Sequence, residues 1–267
     1  MHIHLADQYR QGSSYIYPLD PRTKILITVI FILTVSLTPF GYWLVYLFLY
    51  SFLGMATFTS GIGLRFLLRR SFIALPFALA AVTLPFTVPG ETLFTLPLFG
   101  GLDLSVEGTV RFVSIVVKSW ISIQAAILLV TATTFPDLLW GLRALWVPQQ
   151  LVSVIGFAYR YLFVVSDEAV RFMRARSARS ASIRARRSGG SLFWRGKVTG
   201  RMVGTLMLRS IERSERVYQA MLARGYTGQV LTLFHPKMGR FDYLILLASG
   251  NFLLGLVFIS LLLSGGS

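Results

Sequence analysis

"ILITVIFILTVSLTPFGYWLVYLFLYSFLGMATF", residues 25–58, contains no charged side chain and is interrupted only by Pro39 and Gly41. Two apolar runs of that length around a helix breaker read as a hairpin of two membrane-spanning helices, 25–38 and 42–58. Working outward, the same composition continues. A third span, "SFIALPFALAAVTLPFTV" (71–88), carries Pro76 and Pro85, which remove intrahelical hydrogen bonds and predict a kink. A fourth runs from Val110 to Thr133, and the last covers 241–263. With 54% hydrophobic residues and a mean hydropathy of +0.65, the 267-residue chain falls in the integral-membrane class. A cleavable signal is not expected, because the first apolar run starts only after Arg22 and Lys24 and is followed by further spans. The predicted fold is an all-α integral membrane protein of about five transmembrane helices, with further helices between the fourth and fifth. Its expected divisions are 1–134 (four spans), 135–240 (interfacial and cytoplasmic helices) and 241–267 (the C-terminal span).

Charge orients the spans. The segment between spans three and four, "PGETLFTLPLFGGLDLSVEG" (89–108), has Glu91, Asp103 and Glu107 but no lysine or arginine, as an outside loop does. Of 26 Lys and Arg, 17 lie between Arg160 and Arg240 against four acids, so this segment carries +13 of the net +15. The positive-inside bias places it in the cytoplasm, with Arg22 and Lys24 before span one and Arg65, Arg69 and Arg70 after span two on the same side. The N-terminus is then inside and the C-terminus outside. Under that constraint "QLVSVIGFAYRYLFVVS" (150–166), which contains Arg160, is a helix at the cytoplasmic boundary or packed under the bundle, with Arg160 at the wet edge, instead of a sixth span. "FPDLLWGLRALWVP" (135–148), with Trp140 and Trp146 among leucines, is interfacial.

The cytoplasmic part divides into two helices. Ser166 is a suitable N-cap and Asp167 and Glu168 suit a first turn, so "DEAVRFMRARSARSASIRARRS" (167–188) should be helical until Gly189 and Gly190. The second helix is expected from after Phe193 to Arg224. In it Met207, Ile211, Ser214, Tyr218 and Met221 share one face for packing, and Arg209, Arg213 and Arg216 share another, with Glu212 one turn before Arg216. It ends in Ala223-Arg224-Gly225. An arginine in the last turn followed by a glycine is an ordinary helix stop, and the basic run could equally be a lipid-facing patch. Neither reading explains a second small-Arg-small unit on the preceding helix, at Ala178-Arg179-Ser180 or, one turn earlier, Ala175-Arg176-Ser177. Small flanking residues permit close backbone approach while a guanidinium makes a bidentate bond to a buried carboxylate. The pair suggests docking.

Other classes find little support. The isolated acids Asp20, Asp137 and Asp242 make no acid–base constellation, and Asp20 reads better as a brace for the start of span one, with Pro21 in the first turn. Residues 171–191 lack the interleaved aromatics of a nucleic-acid surface, apart from Phe172. No cysteine is present, and His2, His4 and His235 are too scattered for a metal cage; the terminal "MHIH" pair is incidental. There is no G-x-x-x-x-G-K-[ST] phosphate loop, so this chain is no ATPase. Arg111 and Lys118, charged residues within the fourth span, read either as functional groups or as a snorkelling side chain and a lining of a polar seam.

Four stretches in order, "DQYRQGSSYIYPLDPRTKIL" (7–26), the "LPF" repeats at 75–77 and 84–86, "YRYLFVVSDEA" (159–169) and "ERVYQAMLARGYTG" (215–228), resemble the transmembrane T component of energy-coupling-factor transporters, in the CbiQ-like cobalt or nickel permease branch. The resemblance covers nearly the whole chain. It implies a non-catalytic scaffold in the cell inner membrane that joins two cytoplasmic ABC ATPases, which bind the ATP, to a separate CbiM-like substrate-binding membrane subunit. Lipids are the remaining partner, and neither a cofactor nor a metal in this chain is implied. It further implies two coupling helices, each ending in an Ala-Arg-Gly-like triplet that docks an ATPase. The second triplet carries over onto Ala223, Arg224 and Gly225. The first departs, with serine in the glycine place; Ala178, Arg179 and Ser180 are the preferred register and Ala175, Arg176 and Ser177 the alternative. The branch implies cobalt or nickel as substrate, with a vitamin as the alternative. A basic membrane-anchored protein that binds lipid or nucleic acid is the competing class.

Overall fold

A computed structural model describes residues 17–96, 102–179, 191–228 and 238–265. Ten α-helices follow one another in these residues: α1 (Pro21–Leu37), α2 (Trp43–Ser60), α3 (Leu64–Ser71), α4 (Leu75–Ala81), α5 (Leu84–Thr87), α6 (Val106–Ala132), α7 (Phe135–Ala144), α8 (Gln149–Arg179), α9 (Leu192–Ala223) and α10 (Arg240–Gly265). Between α5 and α6 lies an antiparallel hairpin, β1 (Thr92–Leu96) with β2 (Leu102–Ser105), in which Thr95 faces Asp103 and Leu96 faces Leu102. The all-α membrane architecture holds, with this two-stranded ribbon added in the acidic segment the sequence assigns to a loop. The chain forms two compact units, one holding α1–α7, the ribbon and α10, the other holding α8 and α9.

The larger unit is built on α1, α2, α6 and α10. Phe31 and Val35, Val45 and Leu49, Ile121 and Ala125, and Leu253 and Leu256 form its buried core, and Phe52 stacks on Phe31 and Phe252 with ring centroids 5.8 and 5.7 Å apart. Large apolar side chains such as Phe58, Leu44 and Leu254 are exposed on its outside, which suits a lipid solvent and no other. Several interior hydroxyls bond back into their own helices: Thr34 donates to the Ile30 carbonyl, Thr57 to Leu53 and Ser71 to Leu67, so these three need no partner helix. α2, α6 and Arg240–Leu263 of α10 are long and apolar enough to cross a bilayer. The prolines act as predicted: Pro76 and Pro85 open α4 and α5, and the segments Leu64–Ala74 and Ala78–Thr87 are bent by 49°. That bent pair makes a fourth span if it crosses as one. α1, with 17 residues, rises about 25 Å, short of the ~30 Å hydrocarbon core of a bilayer. Where the bent pair meets α6, Gly108 is required, since an added Cβ would lie 2.6 Å from the Leu84 carbonyl oxygen.

Four charged residues of this unit, Asp20, Arg22, Lys118 and Asp242, make contacts that hold its elements together. Asp20 is the N-cap of α1 and accepts from the Arg22 amide, as its sequence setting suggests, and Pro21 follows at the first turn. The Asp20 amide in turn donates to Asp242 Oδ1, whose other oxygen accepts from the Gly239 amide, so one carboxylate ties the starts of α1 and α10 across 222 residues. Arg22 lies over the Trp140 ring at 4.4 Å, and Trp146, the second tryptophan of the interfacial segment, is exposed. Lys118 resolves to the structural alternative. Its ammonium donates to the carbonyls of Ser36 and Thr38 and sits over the Phe40 ring at 4.6 Å, serving the carbonyls that the end of α1 leaves without intrahelical partners. Arg111 is exposed.

Candidate functional site

The two arginine triplets fall on α8 and α9, and these helices are built differently from the expectation. Ser166 is no N-cap. α8 is continuous from Gln149 to Arg179, 31 residues, so the apolar stretch 150–166 and the basic stretch after it are one helix. No proline interrupts it, and the single Gly156 costs only ~1 kcal/mol against a helix of this length. α9 starts at Leu192, slightly before the expected point, because Ser191 caps it by accepting from the Trp194 amide.

α8 and α9 run antiparallel. Arg176 Nη1 donates to Thr199 Oγ1 at 3.0 Å near one end, Glu168 meets Arg209 and Arg213 in the middle, and Phe157 and Tyr161 face Tyr218 and Met221 toward the other. This overturns the expected division of α9. The arginine side, not the methionine side, turns toward α8 at mid-length, because Glu168 supplies a carboxylate there: Arg213 Nη2 approaches it at 2.9 Å and Arg209 Nη1 at 3.4 Å, while the Arg209 guanidinium also covers the Phe172 ring at 4.9 Å. Met207 and Ile211 are exposed. Ser214, Tyr218 and the half-buried Met221 line, with Phe157, Tyr161 and Tyr226, a largely apolar cavity of about 520 Å³, although Ser214 and Tyr218 are themselves exposed. Its sequence setting suits Glu168 only to a first helical turn; its place in a basic field without another acid from 169 to 211 is the signal that marks it as the counter-ion. Arg216 keeps its expected neighbour Glu212, at 4.0 Å on the exposed surface.

The Ala223-Arg224-Gly225 triplet is a Schellman stop. Gly225 sits at φ +80°, its amide donates to the Leu222 carbonyl, and the Tyr226 amide reaches back to Met221. Arg224, at the cap position, is exposed, as are Ala223 and Gly225. Its guanidinium makes no hydrogen bond or ion pair among the described residues. The glycine therefore does more than end the helix: by allowing positive φ it turns the chain away directly after the arginine. Toward the C-terminal part of α8, Ala178 and Arg179 are exposed, Arg179 being the last described residue of the helix, while Ser180 lies outside the described residues. In the alternative register Arg176 is half-buried and engaged by Thr199, Ser177 donates to the Arg174 carbonyl, and Ala175 is exposed. The engaged guanidinium is the poorer candidate for an external partner. Arg176 meets Thr199, so Arg179 and Arg224 are separated by some 25 residues of α9, or about 40 Å at 1.5 Å per residue. The two helices thus carry exposed arginines toward opposite extremities, Arg224 at a helix stop and Arg179 at the last described residue of α8.

Among the described residues no group of three or more His, Cys, Asp or Glu could hold a metal. His2, His4 and His235 lie outside the described residues, as do Gly189 and Gly190.

The family model described as CbiQ, cobalt transport protein, matches residues 12–233. Among individual relatives, the energy-coupling factor transporter transmembrane protein EcfT of Lactobacillus helveticus is 27% identical over 267 residues, 97% of this chain and 91% of that one. The protein of the same description from Bacillus selenitireducens is 30% identical over 234 residues, 84% of each chain. The cobalt transport protein CbiQ of Rhodobacter capsulatus is 29% identical over 157 residues, 58% of this chain and 62% of that one.

Proposed function

Because the chain belongs to the CbiQ family of cobalt transport proteins, as an EcfT/CbiQ-like transmembrane T component, we propose that it couples two cytoplasmic ABC ATPases to a separate substrate-binding membrane subunit in an energy-coupling-factor importer. The observation that carries this reading is the hairpin with Arg179 exposed far along α8 and Arg224 exposed at the stop of α9, toward opposite extremities. A guanidinium on a helix end between small residues enters a groove and pairs with a carboxylate in two-point geometry, which a lysine cannot reproduce. Two such ends about 40 Å apart on one rigid element suit two ATPase subunits that approach each other when ATP binds. The Glu168 clamp then makes α8 and α9 move as a body, so that displacement at the docked ends is transmitted as rigid-body motion instead of being lost in helix sliding. ATP binding and hydrolysis belong to the partners. The protein resides in the cell inner membrane, with the N-terminus and the basic segment 160–240 in the cytoplasm. Cobalt is the substrate we assign, from the description of the family and of the Rhodobacter capsulatus relative; nickel and a vitamin are the alternatives that uptake assays separate.

The test is co-purification of the tagged chain in mild detergent, as wild type and as Arg179→Glu, Arg224→Glu and the double variant. ATPases accompany the wild type and are lost from the double variant at unchanged yield of the membrane protein. Arg176→Glu, in the same assay, has the smaller effect. Equal ATPase recovery from all variants would overturn the assignment.

A further inference from the structure

The start of α9 carries a feature that ATPase docking at the helix C-termini leaves unused. Leu192, Phe193 and Trp194 are its first three residues, and Leu192 and Phe193 are 87% and 84% exposed. In water, exposure of consecutive large apolar side chains is unfavourable, and such a patch marks a surface that something covers. Directly behind it lie Arg195, Lys197 and Arg201, and the sequence has no Asp or Glu from 169 to 211. The patch does not belong to the hairpin seam, which uses Thr199, Arg209 and Arg213. Leu192, Phe193 and Trp194 step round the helix by 100° each and so span about 200° of its circumference. That is broader than the stripe one partner helix covers, and it matches what a helix end presents when it dips into a fluid apolar layer.

We propose that the first turns of α9 dock on the anionic surface of the bilayer, with Leu192, Phe193 and Trp194 in the headgroup–acyl boundary and Lys197 and Arg201 over lipid phosphates. Aromatic and leucine side chains combined with bases are the composition of interfacial helices, and an acid-free basic field is complementary to an anionic leaflet. Covalent attachment to membrane-spanning helices keeps α9 within reach of a bilayer, so weak contacts suffice. The anchor gives the hairpin a fulcrum distinct from its two ATPase-facing arginines.

The chain has no cysteine, so Gly196→Cys supplies a single thiol at an exposed position where nothing lies within 4 Å of the added Cβ. The full-length variant, labelled there with an environment-sensitive fluorophore, is reconstituted in nanodiscs of phosphatidylcholine with or without phosphatidylglycerol and a nitroxide-labelled lipid. Expected are blue-shifted emission and lipid quenching in the anionic discs, suppressed by high salt. Lys197→Ala and Arg201→Ala each reduce the docked-to-free ratio about fivefold, and Phe193→Asp abolishes the shift. Emission that stays water-like and equally quenched in both kinds of disc overturns the proposal. So does a shift that appears only when ATPases or a substrate-binding subunit are added, which would make the patch a protein-docking surface. The comparison of lipid compositions needs no variant beyond the label, so misfolding of Phe193→Asp cannot blur the outcome.

Discussion

Glu168→Gln is the substitution most directly exposed to failure. Glu168 accepts from Arg213 at 2.9 Å and from Arg209 at 3.4 Å, and its side chain is 19% exposed. A hydrogen bond between ionised partners contributes ~1.5–3 kcal/mol. Arg213 is 35% exposed, so solvent screening holds this bond at the lower end, about 1.5 kcal/mol. Arg209 is 56% exposed and its contact is long, so about 0.5 kcal/mol is the ceiling for it. Losing both costs about 2 kcal/mol, or roughly 30-fold in the equilibrium between a packed and a splayed hairpin. In the cysteine-free chain, Met173→Cys and Val203→Cys place two spin labels on exposed positions of α8 and α9. The inter-label distance distribution should be single and narrow in the parent and broad in Glu168→Gln. Arg213→Ala should broaden it nearly as much, Arg209→Ala much less, and the exchange of Glu168→Arg with Arg213→Glu should restore part of the narrowing. Transport should fall while ATPase recovery in co-purification persists, because the docking arginines are untouched. An unchanged distribution in Glu168→Gln, or equal effects of the two arginine variants, would refute the clamp.

Three further outcomes follow from the geometry. Gly225→Val places a β-branched residue at φ +80°, which costs about 1–2 kcal/mol or moves the chain; it should weaken ATPase recovery without altering Arg224, and Gly225→Asn should be milder. Gly108→Ala forces a Cβ to within 2.6 Å of the Leu84 carbonyl and should lower the thermal transition in detergent by the equivalent of ~1–3 kcal/mol, whereas Gly54→Ala, with open space around it, should leave the transition in place. Lys118→Met removes the donor to the Ser36 and Thr38 carbonyls and should destabilise by about 1–3 kcal/mol; loss of transport with an unshifted melting curve would return this lysine to the functional class.

How the sequence and the tertiary structure divide the information follows from the range of the forces involved. Composition, the breaks at Pro39, Pro76 and Pro85, the Asp20 cap and the stop at Gly225 are local, and each was legible because a backbone conformation or a helix end depends on a few neighbouring residues. Charge asymmetry is nearly as legible, since an excess of 17 bases over four acids in one segment needs no coordinates. The helix break expected at Ser166 failed for the complementary reason: a serine in front of two acids is a good cap only if the chain before it leaves the helix, and residues 149–165 instead continue it. Which side of α9 faces α8 was equally beyond a hydrophobic pattern. A period of 3.6 ranks faces by apolar content, but Glu168, 41 residues away from Arg209, reverses that ranking by making the arginine face the paired one. Asp242 bracing Asp20 across 222 residues, and Lys118 serving the end of α1, belong to the same group. Sequence alone therefore determined the membrane class, the capped start of α1 at Asp20 and the arginine–glycine stop of α9. Only the tertiary structure decided which charges are consumed inside the protein and which remain for a partner, because that depends on distances between residues far apart in the chain.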